Sequence, residues 1–296
     1  MQLKPPCTYD EQLVRLQKHG MIIENEEEAL DFLVHVGYYR LTGYALQFRI
    51  SEHNSDFVSG TSFAQVRAIC EFDEEIRNLF WPFIESIEVY YRTIISYYFS
   101  VEHCILPPYD QHYDYSYYND EKKIEAFFNS FKKQQKYEKN NLIFKHHLAK
   151  YNDRYPLWAI TEMVSFSELS KLYACMKKED EDRIASVVQS GGKMLRNNLH
   201  CLSVLRNHCA HAARLYNVRF APPIMFSTSF LQNNPEIKND TLFAFIILLA
   251  KRIPTFPQKK AFLESVIALL NKYKQSVDYT YIGAPKEYEE CLNRWS

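Results

Sequence analysis

Apolar residues recur at three- and four-residue steps over most of this chain, a period that predicts amphipathic helices rather than strands. Thr8 is placed to N-cap a first helix through Lys18, with Gly20 as its stop. A second is expected over Glu26–Tyr39, with Ala29, Leu30, Leu33 and Val36 inward. Tyr38–Tyr44 reads as a mixed aromatic and polar turn, and Ser51–Gly60 as a polar loop. Thr61 opens a short helix, Phe63 to about Cys70. Glu71–Ser100 carries the longest stripe, Ile76, Phe80, Phe83, Ile87, Tyr90, Ile94 and Tyr98, with a kink expected at Pro82. Asp120–Tyr151 reads as one helix, basic from Lys132 to Lys150. Pro156 opens another, Ser165 to Glu168 fits a capping box for the next, and Glu179–Gln189 follows.

Gly191-Gly192 precedes the helix that matters most. Its stripe is Leu195, Leu202, Leu205, Cys209, Ala212 and Tyr216, and Pro222-Pro223 stops it. At about 100° per residue, Arg196, His200, Ser203, Asn207, His211 and Arg214 fall on the opposite side. Thr241–Arg252 and Pro257–Lys274 form a final helical pair, and the tail from Ser276 has no clear pattern. No repeat, heptad series or hairpin signal is visible. The pattern predicts an all-α protein: an N-terminal helical region (1–70), a core (71–222) and a C-terminal helical region (223–296).

Composition narrows the function classes. The chain has 296 residues and 47% hydrophobic content, enough for a real core. Only 7 Gly argue against a glycine-rich nucleotide loop, and a net charge of −1 gives no global basic field. Seven Cys without paired spacing point to free thiols in a reducing compartment. No apolar leader opens the sequence, and the longest apolar run, near Phe243–Ala250, is too short for a bilayer. A cytoplasmic protein without membrane contact is expected.

Candidate chemistry concentrates at Leu205-Arg206-Asn207-His208-Cys209-Ala210-His211. Asn207 and His211 are four apart and should be neighbours. Arg206 and His211 are five apart, about 140° around a helix. Either the substrate spans both, or a second copy supplies the missing half. A guanidinium beside an apolar stripe needs a partner or a phosphate.

The Arg-Asn-x-x-x-His spacing at Arg206–His211 resembles the signature of the HEPN superfamily of α-helical ribonucleases. A wider ordered set resembles its Abi-like abortive-infection branch. Its segments are Tyr39–Tyr44, Glu71-Phe72-Asp73 to Arg77, Ile84 to Arg92, Pro156-Leu157-Trp158 to Ser170, and Leu205 to Asn217. One departure is Ser167, where the family usually has Gly; at a helix start, it should not touch the motif. The resemblance implies a HEPN-like helical bundle with added terminal helices. It implies a toxin-like effector of bacterial phage defence that cleaves RNA, without cofactor or metal, at the interface of two HEPN domains. One full motif here implies a homodimer. Family members are also linked to small inhibitory RNAs.

In that reading His211 is general base or acid, Arg206 stabilises the phosphate and Asn207 orients. Glu85 and Glu88 either pair along their own helix, as Glu88 with Arg92, or hold the fork of Arg206 from a neighbouring helix. His208 is structural or rim-lining, and Arg214 contacts phosphate or solvent. Lys132, Lys133, Lys136, Lys139, Lys145 and Lys150 make an RNA-backbone surface or a solvated helix face. The Tyr109–Tyr118 loop stacks bases or covers a core edge. The histidines and cysteines of the motif helix carry no Cys-x-x-Cys pair and do not predict zinc. A non-catalytic RNA-binding or protein-interaction module is the competing class, with a partner of a nucleotidyltransferase as a third.

Overall fold

The computed structural model describes residues 5–51, 53–138 and 140–295. Among them the helices run α1 (Tyr9–Lys18), α2 (Glu26–Val36), α3 (Tyr38–Tyr44), α4 (Phe63–His103), α5 (Glu121–Tyr137), α6 (Leu142–Tyr151), α7 (Leu157–Met163) and α8 (Phe166–Cys175). They continue as α9 (Lys178–Val187), α10 (Gly192–Ala210), α11 (Thr228–Asn233), α12 (Leu242–Arg252), α13 (Phe256–Tyr273) and α14 (Tyr288–Asn293). The only sheet among the described residues is one antiparallel pair, β1 (Arg49–Ser51) and β2 (Asn54–Phe57). The fold is all-α.

The 41-residue α4 is the spine. Ser62 starts it with a capping box, accepting from the Gln65 N–H at 3.2 Å while the Gln65 side chain accepts from the Ser62 N–H at 3.1 Å. Two helices were expected here, divided near Cys70. The structure has one, because Val66, Ile69, Cys70, Phe72, Asp73 and Ile76 continue a single buried stripe. Pro82 lies inside the helix on an exposed face, and the helix continues through it. On α4 pack α3, α7, α8, α9, α10, α12 and α13. The apolar run near Phe243 is α12, buried on all sides from Leu242 to Ala250. No helix among the described residues is long and apolar enough to cross a membrane.

Other local expectations are corrected. Tyr38–Tyr44 is a helix rather than a turn. Gly37, at φ 86°, ends α2, and the chain re-enters helix to bury Leu41 and Tyr44. Ser51–Gly60, expected as a loop, carries the hairpin, tied down by Phe57 N–H to His19 O at 2.8 Å. The basic stretch is two helices, α5 and α6, and Asn141 caps the second by accepting from the Ile143 N–H at 2.9 Å.

The most consequential correction concerns α10, which stops at Ala210, well before Pro222. Ala212 turns left-handed at φ 50°. Its N–H donates to Cys209 O at 3.2 Å, and the Ala213 N–H donates to His208 O at 2.8 Å. This is a Schellman stop built on alanine rather than glycine. His211 therefore caps the helix, while Arg214 and Tyr216 lie beyond it and do not share its faces.

Candidate functional site

Leu195, Leu199, Leu202 and Leu205 are fully buried and hold α10 against its neighbours. That packing leaves Arg206 at the edge of the stripe, facing α4. The opposing face of α4 presents Trp81, Glu85, Glu88, Val89 and Arg92, spaced so that they follow one side of the helix. With Ile84, Arg206 and Glu162 of α7 they line a cleft of about 210 Å³.

Glu88 is the hinge of this cleft's charge. One carboxylate oxygen accepts from the Arg92 guanidinium. The other lies 3.7 Å from Arg206 Nε. Arg92 is fixed in turn by backbone carbonyls at the end of α7, donating to Thr161 O and Val164 O at 2.9 Å each, and to Glu162 O. Those carbonyls have no partner within their own helix, and the negative end of the helix dipole suits a cation. Glu88 thus realises both pairings expected of a carboxylate here. Glu85 is exposed at the rim.

Arg206 itself is loosely held. Its guanidinium stands 5.8 Å from the centre of the Trp81 ring and donates to Asn207 Oδ1 at 3.4 Å. It also lines a second, larger cleft of about 630 Å³, shared with Arg92, Glu162 and, from α5, Lys133 and Tyr137. Long contacts on one side and two open clefts on the other leave its remaining donors for a ligand.

Asn207 sits with Arg206 rather than with the His211 ring. Its Nδ2 donates to Ser167 Oγ at 3.2 Å. Ser167, expected to stay clear of the motif, therefore touches it. The His211 N–H donates to Asn207 O at 3.0 Å, as the helix cap requires, while the His211 side chain is exposed and makes no hydrogen bond among the described residues. His208 turns inward: Nδ1 lies 3.4 Å from Arg214 O and the ring packs 5.3 Å from Phe220.

What places the end of the motif is a buried lock that the sequence reading quoted but gave no role. Asp73 of α4 is fully buried. It accepts from the Leu215 and Tyr216 N–H groups at 2.9 and 2.6 Å, from Tyr44 Oη at 2.6 Å and from Arg77. Arg77 also donates to Ala213 O at 3.3 Å. Burial and the Asp73 carboxylate raise the Tyr44 phenol, so it stays a donor. Three of the segments quoted above, around Tyr44, Asp73 and Tyr216, meet at this one carboxylate. Arg214, inside the locked segment, donates to Gly43 O and lies 5.7 Å from the Tyr44 ring centre.

Lys132 and Lys136 line a separate cleft with Arg154, of about 450 Å³. Lys133 faces the Arg206 side, Lys145 and Lys150 are exposed on α6, and Lys139 lies outside the described residues. Burial pushes the Cys209 thiol up to about 12. Among the described residues no three His, Cys, Asp or Glu side chains converge as a metal site.

A family model described as Abi-like protein matches residues 31–217. That span encloses Tyr44, Asp73, Glu88, Ser167, Arg206 and His211. No curated protein and no solved structure matches the chain.

Proposed function

The chain belongs to the Abi-like protein family, and from that premise we propose that it is a metal-independent endoribonuclease of abortive-infection defence. Its site is composite, completed by a second copy of the chain. The observation that carries the reading is the state of Arg206. Its guanidinium makes only long contacts, to Glu88 and Trp81, and lines two clefts. An exposed imidazole, without a side-chain hydrogen bond among the described residues, lies five residues on.

RNA carries its own nucleophile in the 2′-hydroxyl. His211 takes that proton or returns one to the leaving 5′-oxygen. Arg206 forks onto the non-bridging oxygens, where charge grows in the transition state. Asn207, held by Ser167, fixes the position of Arg206 rather than the tautomer of His211. The two groups diverge around α10, so one protomer offers the guanidinium and its partner the opposing imidazole. The products are a 2′,3′-cyclic phosphate and a 5′-hydroxyl.

The test is cleavage of RNA by purified protein in EDTA, with Arg206→Ala and His211→Ala beside it and light scattering for the oligomer. Loss of cleavage on chelation, or full cleavage by His211→Ala, removes the proposal. The lack of any orienting partner on the His211 ring favours one alternative, a non-catalytic RNA-binding or interaction module. Toxicity that survives both substitutions selects it.

A further inference from the structure

Beside the locked segment, walled by Arg214, lies a further cleft of about 560 Å³ that plays no part in the proposed cleavage. Three arginines from three elements line it: Arg40 of α3, Arg49 at the start of β1, and Arg214. Among the described residues no carboxylate lines it. Most arginines elsewhere pair with acids, as Arg67 does with Glu71, Arg77 with Asp73 and Arg196 with Glu181. Here none of the three does so among the described residues. Arg214 spends its contacts on Gly43 O and the face of Tyr44, neither of which carries charge. Asp73, bonded to Tyr44 Oη, is already surrounded by four donors.

Two further observations point to a ligand. Arg49 Nε is buried and has no acceptor among the described residues, a costly state for a charged donor. At the mouth, Tyr39 is 93% exposed, an aromatic face with nothing on it. Uncompensated guanidiniums with an adjoining ring match a phosphate joined to a base. The volume lies within the ordinary range of small-ligand sites.

We propose that this cleft is an anion subsite for a nucleotide phosphate of RNA, with Arg40 and Arg49 as its ligands and Tyr39 as the platform for the adjoining base. Arg214 forms the wall shared with the motif, so a strand seated here lies three residues from His211. The identity of the ligand as RNA rests on the ribonuclease reading, whereas the anion site does not.

The experiment measures binding, by fluorescence anisotropy, of an uncleavable 2′-O-methyl oligoribonucleotide to the full chain. Arg40→Ala and Arg49→Met should each weaken binding about tenfold, and the slope of log affinity against log salt should fall by about 0.7 per lost contact. Arg49→Met keeps the apolar stem, and unchanged melting temperatures identify a binding effect rather than unfolding. Adenosine 5′-monophosphate should compete where adenosine does not. A 5′-phosphorylated strand that outbinds its 5′-hydroxyl twin assigns a terminal phosphate, and equal binding assigns an internal one. Unchanged affinity and slope in both variants overturn the proposal. Arginine-dependent binding by a chain that never cleaves RNA leaves the subsite standing and removes only the nuclease.

Discussion

The carboxylate of Asp73 accepts the backbone N–H of Tyr216 at 2.6 Å, across 143 residues of chain. This bond, with its neighbour to Leu215, sets where the chain goes after α10 and hence how His211 is presented. A buried ion pair is weak evidence for stability, but removing one partner leaves the other charge uncompensated. Asp73→Ala is expected to cost about 3–5 kcal/mol in urea unfolding, because Arg77 is then buried alone. RNA cleavage should fall with it, even where the variant is still folded.

Arg206 and Glu88 make a graded pair of tests. Removing Arg206 takes away the charge that meets the transition state, so Arg206→Ala should lower kcat by about 10²–10³. Arg206→Lys keeps the charge, loses the fork and should recover little. Glu88→Gln keeps the shape and leaves Arg92 on its backbone carbonyls. It should cost activity less than Arg206→Ala does. Single-turnover cleavage of one oligonucleotide ranks the three, and an unaffected Arg206→Ala would falsify the role given to that residue.

Ser167 holds the amide of Asn207 at 3.2 Å without being part of the motif. Ser167→Ala removes one partly buried hydrogen bond, worth about 1 kcal/mol. The expected result is a several-fold fall in cleavage rate with a small change in melting temperature. A melting point that drops sharply while cleavage holds would instead make the contact structural.

Ala212 occupies a left-handed position that glycine fills at less cost. Ala212→Gly should therefore raise stability by roughly 0.5–1 kcal/mol, against the usual direction for glycine. Differential scanning calorimetry decides it, and a destabilised variant would mean that unfolded-chain entropy outweighs the relieved strain.

His112 supplies the pH dependence. It is fully buried, and that burial pushes its imidazole down from 6.5 to about 4. Nε2–H donates to Tyr155 O at 2.9 Å, which leaves Nδ1 to accept from the Cys104 thiol at 3.5 Å. Between pH 6.5 and 4 the unfolded chain binds a proton that the folded chain refuses. This contribution is full above pH 6.5, falls as the pH drops towards 4 and is flat below. The loss is on the order of 3 kcal/mol. His112→Gln should flatten the unfolding free energy across that window, whatever its effect at pH 7.

Helix stops and pairings were legible where local chemistry decides them. Thr8 and Ser165 each accept the N–H three residues on, as their sequence positions imply, whereas the cap of α4 is Ser62 rather than Thr61. Failures came where a stop lacks its usual residue or a break lacks a cause. Ala212 hides the end of α10, since only a glycine there would have announced it. No Gly or Pro interrupts α4 at Cys70, so a division placed there has no physical basis. The β hairpin was missed because its strands are three and four residues long and mostly exposed, too short to show alternation.

The sequence by itself determined the helical class, the burial stripes of α4 and of α10 as far as Leu205, and the concentration of Arg206, Asn207 and His211 within six residues. Those follow from periodicity and capping, which act within a few residues. Tertiary structure alone decided that Glu88 would stand between Arg92 and Arg206, that Asn207 would face Ser167 instead of His211, and that Arg40, Arg49 and Arg214 would share a cleft without an acid. Each of these depends on how helices distant in sequence cross, and crossing is set by packing whole buried faces, a sum to which no single stretch of chain gives access.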